Sequence, residues 1–391
     1  NHERYQFIKW GMQAFDNFYF HFFQPQYRIA TAFLVAAILN FYTIPVIIRI
    51  ARAKKLYDFP DERKNHGSKV PTLGGIGIFL TVSIVCLTFI NTCGLNSSGV
   101  SGSLTSLPPI IAGFTIILFI GIKDDLLNIS AWKKLLAEIV ALFVLIVVGD
   151  VRLNSMQGMF YITHISYLQS VALSLFAGIV IVNSFNLIDG IDGLAASITM
   201  LGSLVFGTYF LYTFEWEYAV LAFTILGATI PFFLYNAFGN TNKIFMGDTG
   251  SLILGFAMTV LVFRFNTMNS MQNMNIHFTA GPAFSFAVII LPMFDTLRVF
   301  CIRIFRGGSP FKADRRHIHH ILLDLGFTHL RATLLLILIN IGFIAFAYYF
   351  NYLGNSMLVY IMIAVAASLS WLAIWLRRRK LVAVAASEKE M

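Results

Sequence analysis

Four acidic groups break an otherwise apolar chain: Asp124-Asp125, Asp189 with Asp192, Asp248, and Asp314 at the head of Arg315-Arg316-His317-Ile318-His319-His320. Adjacent carboxylates such as Asp124-Asp125 repel one another, and a neighbouring cation or metal relieves this by favouring the ionised pair. As a helix N-cap the same pair would do no chemistry. Asp248 sits in Phe245-Met246-Gly247-Asp248-Thr249-Gly250-Ser251, where two glycines let the backbone turn tightly and come close to a ligand. Carboxylate oxygens from two such loops make a hard-ion site, and Mg²⁺ takes one or two carboxylates with phosphate oxygens and water. Zinc fits less well, because no Cys or HExxH pattern accompanies the histidines. The segment Asn183 to Leu194 (NSFNLIDGIDGL) joins amides, carboxylates and glycines in a turn that could hydrogen-bond a base or ribose, or serve only as a helix cap. Arg303, Arg306, Lys312, Arg315 and Arg316 suit phosphate oxygens, and His317, His319 and His320 add donors near neutral pH. A positive-inside anchor would explain those arginines, but not three histidines in four positions.

The elements that carry these groups are membrane helices. With 58% hydrophobic and 12% charged residues in 391, the chain is too apolar for a soluble domain. Its mean hydropathy of +0.74 agrees. A crossing helix needs about 20 residues, and eleven apolar stretches qualify: 29–50, 73–90, 109–122, 132–148, 170–182, 194–212, 218–235, 252–265, 283–302, 332–350 and 357–376. The fold class is therefore an all-α polytopic membrane protein with about eleven transmembrane helices. Of the Lys and Arg residues, only Arg4, Lys9, Arg28, Arg152 and Arg264 fall on one side, so the other side is cytoplasmic by the positive-inside rule. That puts the N-terminus outside, the C-terminus inside, and the candidate active site on cytoplasmic loops. Three regions follow: an aromatic interfacial segment over 1–28, a transmembrane domain over 29–376 and a basic cytoplasmic tail over 377–391. Cys86, Cys93 and Cys301 match no disulfide or metal framework and read as buried small hydrophobes. The net charge of +9 orients spans and meets anionic headgroups, so nucleic acid is excluded as a partner.

With this topology every polar cluster lies at one membrane face. A solute transporter would place its polar site near the midplane on broken helices, and no internal repeat is present. Asp295, inside the ninth stretch, is the best support for a cation-coupled transporter of a phosphorylated solute; its bland reading is a local pair with Arg298. Glu138 reads as a shallow buried acid. Metal-holding carboxylates, phosphate-gripping cations and a nucleoside-sized turn beside lipid together suit phosphoryl transfer between a soluble nucleotide and a membrane lipid.

At these residues the chain resembles the polyprenyl-phosphate N-acetylhexosamine-1-phosphate transferases, a family that includes the peptidoglycan translocase. The likeness runs from about Asp58 to Phe327 through Pro71-Thr72-Leu73-Gly74-Gly75, Asp124-Asp125, Asn183 to Leu194, Asn236 to Ser251, Pro292 to Asp295, and Arg303 to His320. The resemblance implies a Mg²⁺-dependent reaction, with Mn²⁺ as a substitute, of undecaprenyl phosphate with a UDP-N-acetylhexosamine in the bacterial cytoplasmic (inner) membrane. The products would be undecaprenyl diphosphate-sugar and UMP. It also implies Asp248 as principal metal ligand with Asp125, and Asp124-Asp125 as the catalytic pair at the lipid phosphate. Asn186, Asp189, Asp192 and Phe245 would meet the nucleotide side, Lys133 a phosphate, and Arg315, His317, His319 and His320 the diphosphate and sugar. His317-Ile-His-His320 after Ser309-Pro-Phe311 resembles the hexosamine branch, favouring N-acetylglucosamine over the muramyl-pentapeptide donor of the runner-up translocase reading. Asn128 stands where that branch often has Asp, and a homodimer is a family-level expectation. Because a phosphate monoester is mostly dianionic at neutral pH, direct in-line attack is expected rather than a covalent Asp-phosphate.

Overall fold

The computed structural model describes residues 24–57, 70–90, 106–127, 129–271, 276–305, 307 and 316–390. Most of the interfacial segment expected over 1–28, together with Cys93, Asn128, Arg306, Lys312, Asp314, Arg315 and the stretch 58–69, lies outside them. The described residues are mostly helical. The helices are α1 (Pro25–Ala53), α2 (Gly74–Phe89), α3 (Leu107–Leu127), α4 (Ala131–Phe143, continued by a π-turn Val144–Val148), α5 (Tyr167–Ile188), α6 (Leu194–Tyr212) and α7 (Trp216–Ala237). After them come α8 (Gly247–Asn269), α9 (Gly281–Val288), α10 (Ile290–Phe305), α11 (Ile318–Asp324), α12 (His329–Tyr349) and α13 (Asn355–Glu390). A helix bonds its backbone polar groups within itself, which is what hydrocarbon demands. Local sequence sets the starts: Pro25 opens α1, a Ser166/Gln169 capping box opens α5, and Thr328 accepts from Arg331 N to open α12.

All eleven expected stretches are helical, but they are not eleven equivalent rods. Among the described residues seven helices, α1, α5, α6, α7, α8, α12 and α13, are long and apolar enough to cross a membrane. An eighth span arises if α9 and α10, bent by 83° at Ile289, count as one. The bend corrects the straight span expected over 283–302, and its cause is local. Pro292 has no N–H to give to the Val288 carbonyl four residues back. Asn340 of α12 supplies the missing donor to that carbonyl at 3.0 Å. At 16 residues, α2 is short, and α3 ends in the polar Lys123-Asp124-Asp125.

The bundle is built around α8. Every residue of α8 is buried except Gly247, Asp248, Arg264 and Thr267, and α2, α3, α5, α6 and α9 pack around it. A helix apolar on all sides belongs in a core. At its first turn the neighbours approach backbone to backbone: a Cβ on Gly75 of α2 would collide with the main chain of Gly250, and one on Gly121 of α3 with that of Thr249. Outer helices instead expose Leu34, Ile38, Tyr42, Tyr360 and Trp371, as lipid contact requires. An open apolar groove of about 610 Å³, lined by Leu87, Leu107, Pro108, Ile111, Ala112 and Thr115 among others, runs between α2 and α3.

Two smaller expectations change. Cys86 is buried, but Cys301 is exposed on α10. The basic tail expected from residue 377 continues α13. There Arg377 pairs with Asp324 of α11 at 2.8 Å and Lys380 donates to the Asp324 carbonyl at 3.1 Å.

Candidate active site

Four helix ends meet at one charged centre, those of α3, α4, α5 and α8. Lys134 on the first turn of α4 donates to Asp124 Oδ2 at 3.0 Å, to Asp248 Oδ1 at 2.8 Å and to Asn186 Oδ1 at 3.3 Å. Asn186 in turn donates to Asp248 Oδ1 and, at 2.8 Å, to Ser251 Oγ. Asp124 is held further by the Ile129 N–H at 3.0 Å. The Asp124 side chain is 10% exposed and the Lys134 side chain 13%, whereas Asp248 is 37% exposed and forms the open edge. The structure thus brings together Asp124, Asn186 and Asp248, three of the residues singled out in the sequence, with Lys134, while Lys133, the lysine singled out for a phosphate, is exposed. The signal was present in the sequence: Lys134 is in phase with Glu138, Ala141 and Leu142, the buried face of α4, and Lys133 is not.

Asp125 does something else. Its Oδ1 accepts from Asp248 N at 2.7 Å, and its Oδ2 from Thr249 N at 3.1 Å and Thr249 Oγ1 at 2.5 Å. These are the N–H groups that a helix start leaves unmet, so Asp125 caps α8 from α3 and fixes Asp248 relative to Asp124. Here the carboxylates converging on a cation are Asp124 and Asp248, rather than the expected Asp125 and Asp248. Asp248 also lies in the first turn of α8, where the helix dipole favours negative charge. The Pro71 to Gly75 motif supports the same end: Phe245 N donates to Pro71 O at 2.8 Å and Gly74 N to Phe245 O at 3.1 Å.

Beneath Lys134, one turn along α4, Glu138 is fully buried and accepts from Asn183 Nδ2 at 2.5 Å. Lys134 with Asn186 and Glu138 with Asn183 form two rungs between α4 and α5. Among the described residues, Glu138 Oε1 has no hydrogen-bond partner.

The turn after α5 divides in role. Asp189 is the half-buried C-cap of α5, three residues past Asn186. Asp192, expected at the nucleotide, is paired with Lys243 at 2.6 Å and His329 Nδ1 at 3.1 Å, and its carbonyl accepts from Thr333 at 2.9 Å. Burial works to raise the Asp192 carboxyl, but the bonds from His329 and Lys243 outweigh it and leave the group below its ordinary value. Lys243 also lies 5.5 Å from the Phe245 ring centroid. Asn236 closes the turn, accepting from Gly193 N at 2.6 Å and donating to Ile244 O at 2.9 Å.

The histidines lie on and before α11. The His317 and His319 rings stack at 5.7 Å with planes 9° apart, and His320 lies 4.3 Å from His319. His319 presses so closely on Gly190 that a Cβ there would collide with its Nε2, which joins the histidines to the Asp189-Gly190 turn. Burial, with the like charge of His320 next in weight, lowers His319 to about 3, so it is neutral at pH 7. Asp295 was noted in the sequence for a transporter pathway. It is instead engaged at a helix end by His317, Arg298 and the Ile318 N–H.

The donor set suits a hard divalent ion. Asp124 and Asp248 both reach one cationic point, now the Lys134 ammonium, through oxygen atoms of the kind Mg²⁺ takes in ones and twos. Among the described residues no three His, Cys, Asp or Glu side chains cluster as a closed metal cage. An ion here would therefore complete its shell with substrate phosphate and water.

The helical membrane bundle and its acidic, amide-lined site are those of a membrane-embedded transferase of the phosphoryl type, as comparison with known proteins shows. Residues 107–266 match the family described as Glycosyl transferase family 4. The chain is 30% identical over 320 residues, 81% of its own length and 83% of the relative's, to a probable undecaprenyl-phosphate N-acetylglucosaminyl 1-phosphate transferase of Bacillus subtilis (strain 168). It is 29% identical over 297 residues, 74% of the chain and 75% of the relative, to an undecaprenyl-phosphate alpha-N-acetylglucosaminyl 1-phosphate transferase of Escherichia coli (strain K12). A Yersinia pestis protein of the latter name is 27% identical over 313 residues, 78% of the chain and 79% of the relative. The chain belongs to this family of polyprenyl-phosphate N-acetylhexosamine-1-phosphate transferases, as its motifs suggested.

Proposed function

We propose that the protein transfers N-acetylglucosamine 1-phosphate from UDP-N-acetylglucosamine to undecaprenyl phosphate, releasing UMP, at the cytoplasmic face of a bacterial inner membrane. The observation that carries this is the convergence of Asp124, Asp248, Asn186 and Lys134 at the ends of α3, α8, α5 and α4 in a bundle whose outer helices face lipid. A lipid phosphate arriving along α3 and a diphosphate arriving from water meet at that point. The groove between α2 and α3 offers apolar cover for a polyprenyl tail on the helix that carries Asp124. The relatives' names fit this donor sugar and this acceptor.

In the reaction a lipid phosphate oxygen attacks the sugar-bearing phosphorus, and the bond to the UMP oxygen breaks. Asp248, with Asp124, would hold Mg²⁺, which when bound neutralises diphosphate charge and polarises its oxygens. Lys134 supplies a point cation to the phosphates, and Asn186 orients Asp248. Asp125 holds the start of α8 so that the carboxylates keep their spacing. The dianionic acceptor needs no general base. The histidines and the Asp189 turn line the donor's sugar and nucleotide.

Purified protein in detergent with undecaprenyl phosphate and Mg²⁺ tests this. UMP release is expected with UDP-N-acetylglucosamine, in excess over UDP-N-acetylgalactosamine and the muramyl-pentapeptide nucleotide, and is abolished by a chelator. Equal release with the muramyl nucleotide would overturn the sugar assignment. A phosphorylated enzyme trapped with labelled donor would overturn direct displacement.

A further inference from the structure

Among the described residues Asp295 and His317 form a buried, densely bonded acid–imidazole pair, and the proposed reaction gives Asp295 no part. The carboxylate is 3% exposed and the imidazole 4%. Asp295 Oδ2 lies 2.9 Å from His317 Nδ1. Its Oδ1 accepts from Arg298 Nη2 at 2.7 Å, and both oxygens lie within reach of the Ile318 N–H, at 3.1 and 3.2 Å. Arg298 spends the same Nη2 on the Arg316 carbonyl at 2.6 Å. The pair therefore fastens the two residues before α11 as well as its first N–H.

A carboxylate accepts and does not donate, so the proton between Asp295 and His317 sits on Nδ1. Among the described residues no hydrogen bond reaches His317 Nε2. The ring also lies face to face with His319, which is packed on the Gly190 turn. The opposite end of α11 is held independently, by Arg377 and Lys380 on Asp324. Asp295 is thus not needed merely to keep α11 on the bundle.

We propose that Asp295 is a positioning residue for the transfer reaction: it holds the Nδ1 proton of His317 and thereby fixes Nε2 as the ring atom that meets the sugar nucleotide. This rests on the proposed function for its substrate and on the geometry alone for the tautomer. Which ring nitrogen carries the proton is set by the partner of the other. An Asn in place of Asp295 keeps an oxygen for Ile318 N and Arg298 but turns an N–H₂ toward Nδ1, which drives the proton to Nε2.

The test is Asp295→Asn, His317→Gln and the double variant, compared with wild type for UMP release and by long-range ¹H–¹⁵N NMR of histidine-labelled protein. The expected result is a rise of tenfold or more in KM for UDP-N-acetylglucosamine in Asp295→Asn, with a melting temperature close to wild type. The double variant is expected to be no worse than His317→Gln alone, because residues acting through one another are not additive. NMR is expected to show His317 protonated at Nδ1 in wild type and at Nε2 only in Asp295→Asn. Additive losses, or the same ring protonation in both proteins, would overturn the proposal. Should wild type release no UMP, the proposed function fails, and the NMR comparison still decides the tautomer.

Discussion

The two ends of α8 both carry polar side chains in an apolar bundle, and they are built on opposite rules. At the far end Asn266, Asn269 and Gln157 form a neutral mesh: Asn269 donates to Gln157 Oε1 and Phe278 O, each at 2.8 Å, and accepts from Phe278 N at 2.7 Å. Gln157 donates to Asn266 O at 2.9 Å, and Asn266 to Ser285 Oγ at 2.8 Å. Nearby Arg264 pairs with Glu215 at 2.6 Å and lies over the Tyr218 ring. At the Asp248 end, two carboxylates crowd one ammonium and the most exposed member faces outward. Amides closing on each other tie loops to helices. Charges left with spare lone pairs are ready for a substrate, and a buried charge is retained at a cost in stability. Polarity at the far end of α8 is an amide mesh with one ion pair that ties segments together, whereas at the Asp248 end it is a charged cluster with an exposed edge, as the proposed function requires.

The largest way to break this contrast is Asp248→Asn. Its UMP release should fall by about 10²–10³-fold, the scale of losing a preorganised charge contact, while the melting temperature stays near wild type. Next comes a paired comparison: Lys134→Met should lose about 10²-fold in rate, whereas Lys133→Met should keep a rate within about threefold of wild type. Equal losses would show that the exposed lysine matters as much as Lys134. At the far end Asn269→Ala leaves Phe278 N without its acceptor and should cost about 1–3 kcal/mol in reversible unfolding, with the rate per folded molecule unchanged. A specific loss of activity there would blur the two rules.

The smallest effect is in pH. His319 has its folded value lowered from 6.5 to about 3. Below pH 6.5 the unfolded chain binds a proton that the folded one refuses, so its contribution is complete above that value and declines as pH falls toward 3. Between about pH 7.5 and 5.5 this removes about 1 kcal/mol, and His319→Gln should lose less stability than wild type over that range. Asp192, also lowered, acts only in more acidic solution, because its contribution is present above its unfolded value of 3.8 and fades below it.

Much of this plan was legible in the sequence because hydrocarbon leaves few choices. Apolar runs mark helices wherever they fall, although nothing in the α8 stretch set it apart as the central helix. The bend at Ile289 was not legible, since Pro292 only frees the Val288 carbonyl and Asn340, 52 residues from Val288, makes that tolerable. In the site, Asp124, Asn186 and Asp248 stood out by type and motif. The roles of Asp125 and Asp192 did not, because each depends on partners more than 50 residues away: the α8 amides for one, Lys243 and His329 for the other. Residue type announces what chemistry is possible, while the packing of distant segments decides which of two neighbours performs it.

The close approach of Gly75 to Gly250 and of Gly121 to Thr249 bears on how this site could change under selection. The floor beneath Asp248 is main chain, and a point substitution cannot remove main chain. Any larger residue at Gly75 or Gly121 wedges α2 or α3 away from α8, and on α3 it carries the Asp124-Asp125 pair with it. An inhibitor seated against that floor would leave escape variants only the rim, at Phe245, the Asp189 turn and the histidines, where under the proposed function each change also touches the substrate.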